Sequence, residues 1–221
     1  MYLTVHNRIP DEVKPLFWSY KSASIVEVVI GNHDNINAEL ATNTLTFYYN
    51  GAITSVQFPE CFIYNLNDFI QLVNDHCGTY FTVTTEKSYT NKLIYKTTND
   101  SDTIRFLNDN FAHILGMNGV EFTNVYANNH NIVLFPYRYY MIESEYFESN
   151  YRVNNHPCNI AIPIDDHLDV FKWTYNTTSV IKPALRVTGN DDTIKILVAM
   201  FDKTYTISSD FYITFYLSDR E

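Results

Sequence analysis

Two pairs of soft donors stand out in the sequence: His76 beside Cys77, and His156 two residues before Cys158. Imidazole and thiolate are zinc ligands, and two of each would complete a tetrahedral centre. Their spacing within each pair is poor for such a site, and both pairs read more simply as neighbours of turn residues. The stretch "IPIDDHLD" (162–169) gathers Asp165, Asp166, His167 and Asp169. Oxygen donors of this kind suit a hard cation, although a solvated β-turn accounts for them as well. In "ESEYFES" (143–149), Glu143 and Glu145 fall on one face of a strand, with Glu148 beyond. A glycosidase uses two carboxylates across a cleft, but nothing here supplies the opposing one. An acidic edge that discourages wrong strand pairing is the better reading. His113 sits at the border of the apolar face of a short helix, where a hydrogen-bonded or solvent-edge histidine is expected rather than a ligand.

The sequence motifs of catalysis are missing. There is no phosphate-binding loop, dinucleotide fingerprint, nucleophile elbow, H-E-x-x-H helix or calcium loop, and no H-x-H pair of the kind a metal-binding cupin needs. The expectation is therefore a chain that is not an enzyme and takes no cofactor or metal. Cys61, Cys77 and Cys158 are odd in number and form no CxxC, so they read as reduced thiols. In a reducing compartment the sequon at Asn176 carries no weight. Fifteen Lys and Arg against 25 Asp and Glu leave a formal charge of −10. No basic stripe exists to release counterions, so strong nucleic-acid binding is not expected, and neither is attraction to anionic membranes. "MYLTVHNRIP" lacks the apolar core of a signal peptide. No apolar run approaches the ~20 residues of a membrane span.

The elements that would position these groups are mostly strands. The chain holds 18 Tyr and 15 Phe but only 6 Gly, with many Asn and Thr. Aromatic and β-branched residues suit a pleated, half-buried surface, and surplus aromatics suit protein interfaces. An A/T-rich coding bias would also enrich Asn, Tyr and Phe. "SIVEVVI" (24–30) reads as a strand, and "LTFYYNGAITSVQF" as a hairpin turning at Asn50-Gly51. "YNLNDFIQLVNDHCG" predicts a helix capped by Asn65 and followed by Gly78. A second hairpin should turn near Ser88–Asn91, and a tight turn is expected at Asp202-Lys203. "TIRFLNDNFAHILGM" should run from a strand into a helix near 108–115 that stops at Gly116. In "DFYITFYL", alternation places Phe211, Ile213, Phe215 and Leu217 on one face. The fold class implied is all-β, a jelly-roll-like antiparallel β-sandwich with two short helices. It would form one domain over 21–221, with a possible insertion around 120–155.

Residues 1–20 carry Pro10 and Pro15 and then Leu16, Phe17 and Trp18. The prolines favour an extended arm. An arm that cannot bury three large apolar residues at home should place them in an interface with another chain.

The order of elements in 52–117 resembles the penton (vertex, or minor capsid) proteins of virophages and Polinton-like viruses. In that family a strand and turn precede a helix of the pattern Y-x-[LI]-x-[DN]-[FL]-[IL]-x-x-[IVL]-N. A hairpin follows, then a strand leading to a short helix that ends in Leu-Gly-Phe or Leu-Gly-Met. The match falls on Tyr64, Leu66, Asp68, Phe69, Ile70, Val73 and Asn74, then Lys92, Ile94, Ile104 and Phe106, and ends at Ile114, Leu115, Gly116 and Met117. "NIAIPI" and the closing "TIKILVAMFDKTYTISSDFYITFYL" are similar too. The chain departs from the pattern at Glu60-Cys61, where the family usually carries a glycine, and in its final "FYLSDRE".

The resemblance implies a structural viral capsid protein, made in the host cytoplasm or a viral factory and located in the virion. It would form a homopentamer at the five-fold vertices of an icosahedral shell, beside trimers of a double-jelly-roll major capsid protein. Such a ring needs two different complementary patches per subunit. The alternative is a glycan-binding or attachment β-sandwich whose Tyr and Trp stack on sugar rings. Elemental analysis tests the absence of metal: about one zinc per chain, lost on Cys77→Ser, would restore the zinc-site reading.

Overall fold

The closing stretch "FYITFYLS" behaves as its alternation demands. Phe211, Ile213, Phe215 and Leu217 are buried, and Tyr212 between them is exposed. A computed structural model of the chain describes residues 1–20, 22–85, 92–149, 151–164, 171–174, 184–185, 187, 191–200 and 203–219. Two units emerge, one of residues 1–33 with 137–221, the other of residues 34–136. This division differs from the expected one domain over 21–221 with an insertion around 120–155. The expected turns at Ser88–Asn91 and Asp202, and the sequon at Asn176, lie outside the described residues.

The first unit begins with β1 (Tyr2–Val5), α1 (Lys14–Ser19) and β2 (Ser22–Ile30). The second follows with β3 (Thr44–Tyr49), β4 (Ala52–Gln57), α2 (Leu66–Cys77), β5 (Phe81–Thr85) and β6 (Leu93–Thr97). It ends with β7 (Thr103–Phe106), α3 (Asn110–Leu115), β8 (Glu121–Thr123) and β9 (Val125–Ala127). The chain then returns to the first unit as β10 (Tyr139–Glu143), β11 (Tyr151–Val153), β12 (His156–Cys158) and β13 (Ile160–Pro163). Last come β14 (Phe171–Thr174), β15 (Ala184–Leu185), β16 (Lys195–Met200), β17 (Lys203–Thr206) and β18 (Phe211–Ser218). The three helices among the described residues exceed the expected two, because α1 forms in the segment read as extended.

In the first unit one sheet has the order β1-β18-β2-β14, with β15 also on β2, and the other β13-β10-β16-β17. The last strand thus lies between the first two, in a jelly-roll-like antiparallel sandwich. Rings join the sheets: Tyr140 of β10 meets Phe171 of β14 at 4.9 Å between centroids. "SIVEVVI" does not alternate strictly, and the pairing shows why. Thr214 opposes Glu27 while Phe215 opposes Ile25, so Val26 is an extra, bulged residue. The bulge lets Ile25, Val28 and Ile30 all face inward. β16 is buried from Ile196 to Met200 because Leu197 and Ala199 join Met141 and Cys158 in a small cluster on its other face.

The second unit stacks a sheet β4-β3-β7-β8 and a sheet β5-β6-β9 around a ring-filled interior. Phe81 lies 5.8 Å from Phe47 and 5.5 Å from Phe106, which come from the other sheet. Asn50 (φ 50°) and Gly51 (φ 83°) make the expected turn between β3 and β4. Asn65 caps α2 by accepting from the Asp68 N–H, and Phe69, Val73 and Cys77 are the side chains it buries. Asp109 caps α3 through the Ala112 N–H at 2.7 Å and accepts from the Thr46 N–H of β3, also at 2.7 Å. Burial pushes this carboxyl above its usual range.

α3 ends at Gly116, which is left-handed (φ 69°, ψ 24°). Met117 N–H reaches Ala112 O at 2.8 Å and Gly116 N–H reaches His113 O at 3.0 Å, the paired bonds of a Schellman stop. A Cβ on Gly116 would also meet Asn128 Nδ2 at 2.5 Å. Gly116→Val should therefore destabilise by about 1–2 kcal/mol from backbone strain alone, read as a lower urea midpoint. An unchanged midpoint would show that this cap carries no strain.

Candidate assembly surface

The N-terminal segment is tied down along its length. β1 pairs with β18 in register, Tyr2 opposite Tyr216 and Val5 opposite Ile213, and the Met1 ammonium donates to Leu217 O at 2.7 Å. Ile9 N–H donates to Asp192 O at 3.0 Å, and Ile194 N–H to Asn7 O at 2.9 Å. The Asp192 side chain, almost fully buried, accepts from Arg8 Nε at 2.8 Å and also holds Lys14 Nζ. These two cations, Lys14 first, keep its carboxyl below the usual range. α1 follows with Pro15 in its first turn, where a missing N–H leaves no helical bond unmade. The segment read as an extended arm thus carries a helix and packs on its own unit.

The three candidate interface residues separate. Phe17 is buried, with its ring 5.2 Å from Phe215, 5.4 Å from Phe147 and 5.9 Å from Tyr146. Leu16 is half-buried. Trp18 stays 63% exposed although its neighbour anchors the helix, and its indole N–H faces the Tyr146 hydroxyl. Asp192 and Tyr146 were missed as supports of this site. The only sequence sign of Asp192 is an Asp-Asp pair, and nothing local links it to Lys14.

The other candidates are dispersed. Cys77 lies in the second unit's interior, where burial pushes its thiol up to about 12. His76 Nδ1 lies 2.9 Å from Leu72 O in its own helix. Cys158 belongs to the first unit's small cluster, and burial pushes its thiol up to about 11. His156 Nε2 pairs with Glu143 Oε2 at 2.9 Å. Among the described residues no three His, Cys, Asp or Glu side chains converge as metal ligands. Glu143 ends β10, so Glu145 and Glu148 lie beyond the strand rather than along its face, both exposed. His113 Nε2 is 2.8 Å from Asn118 Nδ2. Asp165, Asp166, His167 and Asp169 lie outside the described residues. A cleft of about 520 Å³ in the first unit is lined by Asn7, Asn32, Lys195, Ser208 and Asp210 over Ile194 and Phe211. Among the described residues Asp210 is its one lining carboxylate.

Solved structures similar to this chain include two at low identity. The mavirus penton protein is similar at 9% identity and a TM-score of 0.43, over 97% of this chain and 90% of that one. A chain of the Sputnik virophage particle is similar at 10% identity and a TM-score of 0.41, over 99% of this chain and 98% of that one. No protein-family model matches the sequence, and no curated protein does.

Asp192 makes the N-terminal docking sensitive to acid. A carboxyl held below its ordinary value stabilises the fold above about pH 4, where the unfolded chain is ionised. That contribution is lost as pH falls through the depressed native value. Asp192→Asn should thus be less stable than wild type at pH 7, with the gap closing toward pH 2 in urea titrations. A gap constant with pH would remove the ion pairs from the account. Deleting residues 1–20 should lower the thermal midpoint, since it uncovers Phe215 and Phe147 and leaves β18 without β1; an unchanged midpoint would return the arm to another chain.

Proposed function

We propose that the chain is a structural protein of an icosahedral viral shell, a penton subunit that associates as a homopentamer and meets trimers of a double-jelly-roll major capsid protein. The supporting observation is that most of the residues carrying the family pattern hold structural posts, while Tyr64 and Asp68 are exposed. Phe69, Val73, Ile104, Phe106, Ile114, Leu115 and Met117 are interior residues of the second unit. Asn74 links α2 to β5 through both the N–H (2.7 Å) and the carbonyl (2.9 Å) of Val83. Gly116 is the left-handed stop.

The departure at Glu60-Cys61 is tolerable for a physical reason. Cys61 forms a two-way main-chain bridge with Ile36, at 2.9 and 3.1 Å, in backbone that has no positive φ. Glycine is not required there. On this reading the chain resides in the virion, is made in the host cytoplasm or a viral factory, and works by assembly rather than by catalysis.

The mass of the purified assembly tests the proposal. Sedimentation should give five copies of the 25.8 kDa chain, and co-expression with its shell's coat protein should place the assembly at vertices. A monomer that binds glycans specifically and enters no shell would replace this reading with an attachment module.

A further inference from the structure

Trp18 is held in place before any partner arrives. Phe17 on one side is buried among Phe147, Phe215 and Tyr146, while Lys14 one turn earlier is fixed by Asp192. Its indole N–H faces the Tyr146 hydroxyl, and the side chain still exposes most of its surface. A large aromatic presented rigidly costs little ordering on binding, and tryptophan is among the commonest anchors of interfaces.

The surroundings indicate what it can meet. Glu12 precedes the helix, and Glu145 and Glu148 flank the Tyr146-Phe147 pair that carries it; all three are exposed. None has an ion-pair partner among the described residues. The cations of the segment are already engaged: Arg8 with Asp192, and Lys14 with Asp11 and Asp192. A second copy presenting the same patch would bring like charges together. Nucleic acid and anionic lipid fail for the same reason.

We infer that Trp18 inserts into an apolar pocket rimmed by Lys or Arg on a different protein, which, if the shell reading holds, is the coat protein around the vertex. Attraction between the acidic rim and a basic one steers the contact and weakens with salt.

Co-assembly of the full chain with the coat protein of its own particle, read by sedimentation, tests this. Trp18→Ala should keep the wild-type thermal midpoint and oligomer mass while lowering co-assembly about tenfold or more, the loss of a hot-spot residue. Glu145→Lys with Glu148→Lys should lower it as well, and wild-type co-assembly should fall between about 50 and about 500 mM NaCl. A smaller oligomer mass for Trp18→Ala would assign the surface to a second copy and overturn the inference, as would full co-assembly of both variants. A wild-type chain that stays monomeric and joins no shell would defeat the shell reading, and this partner with it.

Discussion

Main-chain groups that no neighbouring strand reaches must still find partners, and in this protein asparagine amides supply many of them. A buried N–H or C=O left unmatched costs more than a made bond returns. The Asn35 amide accepts from Ile63 N–H at 2.7 Å and donates to Ile63 O at 2.9 Å and Leu134 O at 3.3 Å, tying together two loops of the second unit. Asn74 treats Val83 as a neighbouring strand would, on the open edge of β5. In the first unit Asn159 accepts from Ser144 N–H at 2.6 Å and donates to Phe147 O at 3.0 Å and Glu148 O at 3.1 Å. That clamp shapes the loop bearing Tyr146 and Phe147, and through them the seat of α1. The placement of Trp18 thus depends on an amide remote from it in sequence.

The aromatic interior and these clamps serve one another. Rings fill large volumes with few rotatable bonds, and pairs gain from tilted and offset contacts. Phe58 stacks on Phe111 at 4.2 Å, and Phe111 on Phe69 at 5.8 Å, joining α2 and α3 through one column. Tyr95, buried among these side chains, still needs a partner for its hydroxyl and donates to Leu115 O at 2.8 Å. Asn128 donates to the same carbonyl at 3.0 Å, so the end of α3 is fixed by a phenol and an amide together.

Local signals in the sequence are the ones the structure repeats. Asn65 and the α2 stripe, Asn50-Gly51, Gly116 and the alternation of β18 each depend on residues within a turn or two of one another. What could not be read has distant partners. Lys14 gives no sign that it meets Asp192, and Pro15 looks like a helix breaker until its place in a first turn is seen. The two units are equally silent, because no linker composition marks 33–34 or 136–137 and β2 rejoins the chain only beyond residue 137. The abundance of asparagine was legible but underread, since base composition explains the count and says nothing of the geometry. Of the candidate surface, the residue types at 16–18 were visible, whereas the choice of which one turns outward is made by Phe147 and Phe215.

Dependence on asparagine also gives the protein a chemical age. The side-chain amide of an Asn followed by Gly is the one most readily attacked by the next backbone nitrogen, and Asn50-Gly51 is such a pair, at a turn with both φ angles positive. Asn50 Nδ2 donates to Asp102 Oδ1 at 2.9 Å, while Tyr49 Oη and Asn99 Nδ2 donate to the other oxygen at 2.6 and 3.0 Å. Hydrolysis of that amide would replace a donor with a second carboxylate facing Asp102, turning an attraction into a repulsion. The turn that joins β3 and β4 is then also a place where long-stored protein would loosen, and peptide mapping of aged protein would find the conversion at Asn50, as at the Asn118-Gly119 pair, ahead of the clamping asparagines that glycine does not follow.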